Sequence, residues 1–280
     1  MNISYLYSIY KKNPYIFIDT RKQDRSKKGI FFAIQGDNFN GNKFALEAIN
    51  NGCSYAIIDD PSYNIHPKTI LVDNALKSLQ NLAKRHRDEI NIPIIGITGT
   101  NGKTTSKELI YTVLESKYRC YATEGNFNNH IGVPLSILEI SGEYDLAIIE
   151  MGANHQQEIS LLCSISKPNY GVITNIGTAH LEGFGSLEGI IKSKNELYDF
   201  IRNNKGHLFV NNEDEKLLNL SKKISRTTYG KKGNVNASIA KKETYMQVSY
   251  NTNTIYSQLI GDYQFYNIML AICIGEHFNI

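Results

Sequence analysis

A glycine-rich loop between an apolar run and a helical pattern constrains this chain more than any other feature. Residues 94–98 (IIGIT) are mostly apolar, and residues 99–105 (GTNGKTT) follow them directly. Short, continuously apolar strands are typical of parallel sheets that helices cover on both faces. A glycine-rich loop that follows such a strand and opens a helix can close its backbone N–H groups on phosphate oxygens. The sequence therefore predicts a parallel α/β domain with a phosphate site.

The residues of this loop have distinct expected roles. Lys103 supplies positive charge, and the hydroxyl of Thr104 can reach a Mg²⁺ ion that accompanies the phosphates. The strict phosphate-loop pattern has glycine at the position of Ile97, so this loop is a variant of that pattern. The predicted phosphate contacts are Gly99, Thr100, Asn101, Gly102, Lys103, Thr104 and Thr105.

The same strand, turn and helix order continues beyond the loop. Residues 146–150 (LAIIE) and 170–174 (YGVIT) read as further buried strands, and helical patterns follow them near residue 157 and from residue 187. Strands that alternate with helices in this way belong to a parallel sheet, which binds ligands beyond the carboxyl ends of its strands. Residues 235–260 are predicted to form a β-meander, and residues 266–277 a closing helix.

The first 90 residues predict a smaller α/β domain. Short apolar runs are separated by polar turns, and a helical pattern precedes Pro93, which marks a boundary near residues 91–93. The chain therefore divides into residues 1–91 and 92–280. The predicted strands of the first domain are residues 15–18, 30–34, 56–58 and 69–72, and its predicted helices are residues 44–50 and 75–89.

Two polar residues stand where strands of the second domain end. Glu150 closes one strand, and His180 comes shortly after the next. Because the tips of parallel strands share one edge of the sheet, we expect both beside the phosphate loop, where a carboxylate and an imidazole suit Mg²⁺ coordination. Taken singly, Glu150 reads as a solvated strand end and His180 as a helix cap or a loop histidine. Lys194, on a helical pattern, reads by itself as a surface lysine.

Composition excludes several classes of protein. Lys and Arg total 30 against 27 Asp and Glu, a formal net charge of +3, which is too mild for nucleic-acid binding by charge alone. The first residues, MNISYLYSIYKKNP, have neither a signal-peptide core nor the length of a membrane span, so we expect a cytoplasmic protein without membrane insertion. The four scattered cysteines read as reduced core thiols.

Several motifs together resemble the Mur ligase family of ATP-dependent amide-bond ligases. The resemblance covers nearly the whole chain, and within the family it is strongest to the branch that adds D-alanyl-D-alanine to UDP-N-acetylmuramoyl-tripeptide in peptidoglycan synthesis. It implies a small amino-terminal domain that binds the UDP-linked substrate and a central ATP-binding domain. The motifs are TGTNGKT (98–104), EGNFNNHIGVP (124–134), EMGAN (150–154), NIGTAHLEGFGS (175–186), KSKNE (192–196), IDTR (18–21), GIFFAIQG (29–36) and NGNKFALEAINNG (40–52).

The resemblance assigns roles to individual positions. Lys103 and the backbone of the loop would bind the β- and γ-phosphates of ATP, and Thr104 and Glu150 would hold one Mg²⁺. His180 and a carbamylated Lys194 would hold a second. The remaining assignments that the resemblance implies are Asn175 and Asn267 to ATP, Asn129 to the sugar-nucleotide phosphates, and Asp19, Thr20 and Arg21 to the uridine pocket.

Two departures from the family pattern weaken single assignments. Gln264 stands where the family usually has asparagine at the adenine site, and Asn42 replaces the usual histidine of the first domain. Two alternatives stay open: a sibling ligase that adds a diamino acid, and a non-catalytic nucleotide-binding module. Family members normally continue with a carboxyl-terminal domain, so we expect a 280-residue chain to be impaired in ligation unless that domain is supplied elsewhere.

Overall fold

The computed structural model describes residues 2–36, 38–177, 181–241 and 244–280, with only the backbone for residues 181, 182 and 241. The chain forms two compact units, residues 1–91 with 130–141, and residues 92–129 with 142–280. The predicted boundary assigned residues 130–141 to the second domain. The structure groups them with the first because the helix they form packs against the helix at residues 75–89. No helix in the described residues is long and apolar enough to cross a membrane.

The first unit is built on a parallel sheet whose described strands lie in the order β1-β2-β5-β6. Helix α2 contacts β2 and β5 over a core that includes Phe31, Ala45 and Ile58, while α1 and α5 both pack against α3. The side chain of Asn74 caps the start of α3. The elements are α1 Ile3–Lys12, β1 Tyr15–Phe17, β2 Gly29–Phe32, β3 Gln35–Gly36, β4 Phe39–Asn40, α2 Ala45–Asn50, β5 Tyr55–Ile58, β6 Thr69–Leu71, α3 Ala75–Glu89 and α5 Gly132–Glu139, with 3₁₀ helices at Thr20–Lys22, Gly41–Phe44 and Pro61–Tyr63.

The second unit has a larger parallel sheet, whose described strands lie in the order β13-β12-β11-β10-β7-β9-β8. Helix α4 packs against α10, and α6 packs against α8. The small antiparallel sheet β14-β15-β16 packs its apolar residues, such as Val248, into the hydrophobic core of the second unit. The elements are β7 Ile94–Thr98, α4 Lys103–Leu114, β8 Cys120–Ala122, β9 Leu146–Glu150, α6 Glu158–Ser166, β10 Tyr170–Ile173, α7 Leu181–Phe184, α8 Leu187–Asn203, β11 His207–Asn211, α9 Glu215–Leu220, β12 Ser225–Gly230, β13 Val235–Asn236, β14 Ser238–Lys241, β15 Gln247–Tyr250, β16 Asn253–Tyr256 and α10 Gln264–His277.

The strand order decides where the predicted site lies. Strand β7 lies between β9 and β10, and Ile97 is in register with Glu150. The loop after β7 is therefore flanked by the carboxyl ends of β9 and β10, as the sequence predicted for a parallel sheet. The mixed α/β fold with parallel sheets confirms the predicted fold class.

Several elements were not predicted. The sequence interpretation assigned no structure to α1, β8, α5, β11, α9 or β12, and the predicted meander at 235–260 differs in part. Its first strand, β13, joins the large sheet in parallel with β12, and the three strands that follow form the antiparallel sheet. The cysteines are free and buried, in agreement with the prediction, and burial raises the pKa of Cys53 to about 11.

Candidate functional site

The glycine-rich loop of the second unit adopts a backbone shape that requires its glycines. Gly99 has φ +149° and Gly102 has φ +77°, a region that side chains rarely permit. A Cβ atom on Gly99 would lie 2.0 Å from Oγ1 of Thr174, and one on Gly102 would lie 3.1 Å from Oδ1 of Asn267. The loop thus passes against the end of β10 at a distance that only glycine allows.

The end of β10 holds this loop in place. Thr174 Oγ1 donates to the carbonyl of Asn101 at 2.6 Å, and Asn175 Nδ2 donates to the same carbonyl at 2.9 Å. The N–H of Asn101 donates to Asn175 Oδ1 at 3.1 Å, and the N–H of Thr100 donates to the Asn175 carbonyl. Asn175, predicted to contact ATP, therefore acts on the loop in this structure, and Thr174 is a supporting residue that the sequence interpretation missed.

Lys103 folds back over the loop. Its Nζ donates to the carbonyls of Gly99 at 2.9 Å and Thr100 at 3.1 Å. Burial lowers the pKa of Lys103 from its ordinary value, and the nearby Glu150 carboxylate opposes that shift. No side chain among the described residues caps the first turn of α4, so its N–H groups can face an anion. This arrangement suits a phosphate group.

Glu150 forms the polar centre beside the loop. Its side chain is buried, with Oε2 accepting from Thr104 Oγ1 at 2.9 Å and Oε1 accepting from Asn128 Nδ2 at 2.8 Å. The expectation of a solvated strand end is therefore wrong, because β9 ends under the segment that carries Asn128. The sequence interpretation missed Asn128; its signal was the asparagine-rich run that also contains Asn129.

The donor set fits Mg²⁺ bound together with a nucleotide. In proteins Mg²⁺ commonly takes one or two carboxylates and completes its shell with phosphate oxygens and water. The Glu150 carboxylate and the Thr104 hydroxyl, whose oxygens lie 2.9 Å apart, could provide the protein ligands of such a shell. The described residues contain no group of three or more His, Cys, Asp or Glu side chains arranged for a metal. His180 lies outside the described residues.

Lys194 is buried, so its interpretation as a surface lysine is wrong. Only 3% of the residue is exposed, and Nζ lies 5.6 Å from the centre of the Phe184 ring. Burial, reinforced by the positive charge of Lys103, lowers the pKa of Lys194 to about 8. The carboxylates of Glu158 and Glu196 act in the opposite direction. These shifts favour the uncharged amine of Lys194 more than in a solvated lysine.

Two further predicted residues of the second unit have defined places. Asn267 on α10 accepts from Ser106 Oγ at 3.1 Å, which ties α10 to α4, and it donates within α10 to Gln264 Oε1 at 2.7 Å. The glutamine that departs from the family pattern is thus a partner of Asn267. Thr105 lies in the first turn of α4, and Asn129 is exposed in the segment before α5.

A cavity opens beyond the carboxyl ends of β10 and β11. It has a volume of about 370 Å³ and is lined in part by Ile176, Asn211 and Tyr266. The sequence interpretation did not single out these three residues, because each is distant from the others along the chain. Ligands of parallel sheets bind at such edges, so the cavity is a candidate for the base of a nucleotide.

The first unit places its three predicted residues in one turn, in which Arg21 is exposed and Asp19 and Thr20 are half-buried. Asp19 caps the 3₁₀ helix that contains Thr20 and Arg21, and it accepts from Arg21 Nη2 at 2.7 Å and Nε at 2.9 Å. The hydrogen bond from the Arg21 side chain holds the pKa of Asp19 at about 2. Nearby in sequence, Asn42 is buried and exchanges hydrogen bonds with Asp59, so the residue that replaces the family histidine supports the fold.

Comparison with known proteins finds similar sequences over most of this chain. Residues 97–275 match the Mur ligase middle domain. The UDP-N-acetylmuramoyl-tripeptide--D-alanyl-D-alanine ligase of Bacillus subtilis is 36% identical over 271 residues, which cover 94% of this chain and 58% of the relative. The enzyme of the same name from Escherichia coli is 36% identical over 72% of this chain and 44% of the relative. The chain spans about half the length of the curated relatives it matches.

Solved structures show the same similarity. MurF from Acinetobacter baumannii superposes with a TM-score of 0.83 at 28% identity, covering 95% of this chain and 60% of that one. MurF ligase from Thermotoga maritima, solved in complex with ADP, superposes with a TM-score of 0.82 at 26% identity, covering 95% of this chain and 64% of that one.

Proposed function

Because the chain belongs to the Mur ligase family, we propose that it binds Mg-ATP at the strand-end site and serves the ATP-dependent joining of D-alanyl-D-alanine to UDP-N-acetylmuramoyl-tripeptide. The observation that carries the nucleotide part is the contact between Thr104 and Glu150 beside Lys103. The similarity to ligases of that name supports the choice of substrates. Since the reaction consumes ATP, the proposal includes a cytoplasmic location.

The proposed reaction proceeds in two displacements. The terminal carboxylate of the tripeptide attacks the γ-phosphorus of ATP, and the bond to ADP breaks, which gives an acyl phosphate. The amine of D-alanyl-D-alanine then attacks the acyl carbon, and phosphate leaves as the amine loses a proton. Phosphoryl transfer depends on positioning and charge neutralisation and does not need a protein nucleophile.

The residues of the second unit supply those two requirements. The N–H groups of residues 99–104 orient the β- and γ-phosphates, and Lys103 moves its ammonium group from two loop carbonyls to phosphate oxygens. Thr104 and Glu150 would hold Mg²⁺, with His180 and Lys194 as proposed ligands of a second ion. Mg²⁺ held there would neutralise charge on the transferred phosphate. The cavity near Tyr266 is the proposed place of the adenine base, with Asn175 and Asn267 supporting the loop and α10 around the nucleotide.

A carbamate on Lys194 is part of the proposal. An uncharged lysine amine adds to CO₂ and releases a proton, which leaves an oxygen ligand for the second ion. The burial of Lys194 and its pKa of about 8 favour the uncharged amine that this chemistry needs. We expect a carbamate signal in ¹³C NMR after equilibration with ¹³C-bicarbonate, and this signal should be absent from Lys194→Ala. Short carboxylates added to Lys194→Ala should restore its ATP-dependent turnover. A high-resolution electron-density map that shows an unmodified Lys194 ammonium group beside an occupied metal site would contradict the assignment.

The first unit is proposed to bind the UDP end of the precursor. Asp19, Thr20 and Arg21 form the proposed uridine pocket, and Asn129 is the proposed contact to the sugar-nucleotide phosphates. The support is the family resemblance of this turn and its ordered Asp19–Arg21 pair. The named relatives favour a D-alanyl-D-alanine ligase over the sibling that adds a diamino acid.

The test compares nucleotide binding and turnover in matched variants. Glu150→Gln should weaken Mg-ATP binding roughly tenfold or more, about 1.4 kcal/mol, because a neutral amide is a poor ligand for a hard cation. Glu276→Gln, at an exposed position of α10, is the control and should bind as the wild type does. Equal Mg-ATP affinity in both variants would disprove the metal assignment.

Turnover distinguishes a ligase from a module that only binds nucleotide. ADP release is measured with the UDP-linked tripeptide, in the presence and absence of D-alanyl-D-alanine, and the amide product is identified by mass spectrometry. A ligase releases ADP and forms product in proportion when the dipeptide is added. Because the chain alone is expected to be impaired in ligation, the assay is repeated with a separately expressed carboxyl-terminal domain of a related ligase. Tight Mg-ATP binding without dipeptide-dependent product in both assays would favour the non-catalytic alternative.

A further inference from the structure

Lys107 is a buried charge that the proposed reaction does not use. It lies on α4, one turn after Lys103 and Thr104, and only 1% of the residue is exposed. Its Nζ donates to the carbonyl of Thr123 at 2.5 Å and lies 2.8 Å from Glu108 Oε1. Burying a lysine is unfavourable unless its charge and N–H groups are satisfied, so its place here requires an explanation.

The partner of Lys107 also holds Glu150. Thr123 follows β8, and its N–H donates to the carbonyl of Ile148 at 3.0 Å. Its Oγ1 accepts from the N–H of Glu150 at 3.0 Å. Thr123 is therefore fixed on one side by the ammonium group of Lys107 and on the other by β9, and it fixes the backbone of Glu150 in turn.

The same segment continues to a second contact with Glu150. Five residues beyond Thr123 the chain reaches Asn128, whose Nδ2 donates to Glu150 Oε1 at 2.8 Å. The carbonyl of Asn128 accepts from the N–H of Gly152 at 2.7 Å. A shift at Thr123 would thus reach Glu150 through its own N–H and through the segment that ends at Asn128.

We propose that Lys107 is a positioning residue that holds Thr123, and through it the carboxylate of Glu150, in place for the metal ion of the bound nucleotide. This inference rests on the proposed function, in which Glu150 is a Mg²⁺ ligand. Lys107 meets neither metal nor nucleotide; it acts through the carbonyl of Thr123. The side chain of Lys107 spans the gap between α4 and β8, and its ammonium group donates to the carbonyl of Thr123.

The experiment separates metal binding from nucleotide binding. A fluorescent ATP analogue is titrated into the full 280-residue chain without Mg²⁺, and Mg²⁺ is then titrated at fixed nucleotide. Lys107→Met, which keeps the length and removes the donor, should raise the Mg²⁺ concentration at half-saturation roughly tenfold. Its affinity for the metal-free nucleotide should stay within about twofold of wild type, because the phosphate loop is unchanged. A merely structural role would weaken both affinities together.

Two further variants complete the test. Lys117→Met, at an exposed lysine that donates to the carbonyl of Asn279, is the matched control and should leave both affinities unchanged. Thr123→Val removes the acceptor for the Glu150 N–H and keeps the carbonyl that Lys107 contacts. It should reproduce the Mg²⁺ effect, and the double variant should show less than the product of the two single effects, because both act on one path.

The outcomes are distinct. If the wild type binds the analogue with Mg²⁺ dependence and both Lys107→Met and Thr123→Val match it, the inference is wrong while the proposed function stands. If the wild type itself shows no Mg²⁺-dependent binding, the proposed function fails and this inference fails with it. If Lys107→Met does not fold, Thr123→Val decides, and a wild-type Mg²⁺ profile in that variant overturns the inference.

Discussion

The strand-end site of the second unit and the Asp19–Arg21 turn of the first unit were both predicted as binding elements, but they are built differently. In the strand-end site, hydrogen bonds join residues far apart in sequence: Thr104 to Glu150 across 46 positions and Asn101 to Asn175 across 74. In the turn, Asp19 and Arg21 are bonded across two positions, and the Arg21 side chain is 86% exposed. One geometry depends on the whole fold of its unit, and the other on a few adjacent residues.

The difference appears again in the charged groups. The pKa of Asp19 is low because a neighbouring arginine donates to it in water, whereas the pKa of Lys194 is lowered mainly because the fold buries it. Burial is a property of the packed unit, while a local ion pair persists wherever the turn forms. Substitutions in the strand-end site should therefore change both stability and ligand binding, and substitutions in the turn should change binding alone.

The largest effect is expected from Gly99→Ala. The added Cβ would lie 2.0 Å from Thr174 Oγ1, at a φ of +149° that alanine rarely adopts. We expect the free energy of unfolding to fall by about 2–4 kcal/mol and ATP affinity to fall roughly a hundredfold. Gly142→Ala, where a Cβ meets open space, is the control. Denaturant unfolding measures the free energy of unfolding, and nucleotide titration measures the ATP affinity. Equal results for the two variants would contradict the close contact between the loop and Thr174.

Next in size is Lys194→Met in bicarbonate-free buffer without metal. The folded pKa of about 8 lies below the ordinary value of 10.5, so the unfolded chain binds more protons between these two pH values. The contribution of Lys194 to stability should therefore rise with pH through that window, and the cost of holding Lys194 charged is fully present below pH 8. We expect the variant to be more stable than wild type by about 1–3 kcal/mol at pH 7, with the gap closing toward pH 10.5.

The exposed Lys192→Met is the matched control for that measurement. It should track wild-type stability at every pH tested. A stability difference between Lys194→Met and wild type that does not change with pH would mean that packing, and not charge burial, separates them.

A smaller effect is expected from Asn175→Ala. The change removes two hydrogen bonds to Asn101 but leaves the Thr174 contact and the backbone contact to Thr100 in place. We expect a loss of about 1–2 kcal/mol in unfolding free energy and roughly tenfold weaker ATP binding, since the loop is less well ordered. Asn204→Ala serves as control, since Asn204 directly follows α8 and its amide donates to the carbonyl of Phe200. An unchanged ATP affinity would show that the loop orders itself without Asn175.

The smallest effect on stability is expected from Arg21→Ala. The Asp19–Arg21 pair is exposed, and such pairs contribute little to folding because water and salt screen them. We expect a denaturation midpoint within experimental error of wild type at pH 7, together with weaker binding of the UDP-linked precursor measured by calorimetry. A clear loss of stability would show that the turn is coupled to the rest of its unit, and would remove the contrast with the strand-end site.

Much of the fold followed from pattern. The strands near residues 94–98, 146–150 and 170–174 were predicted because continuous apolar runs report burial on both faces. Helix α1 was not predicted, because polar residues interrupt the apolar run of the first segment and hide its helical spacing. Its buried Leu6, Tyr7, Ile9 and Tyr10 show that the interruptions follow helical spacing.

The sequence by itself determined the phosphate loop, the residue types at the strand ends and the family, because each depends on local order and on spacing that the chain carries directly. Only the tertiary structure decided that Glu150 is buried against Thr104 and Asn128, that Lys194 lies out of water, and that Lys107 reaches Thr123. These contacts arise because the strand order brings β7 between β9 and β10, so that segments distant in sequence share one edge of the sheet. Burial and pairing at that edge are properties of the packed unit, which no local pattern encodes.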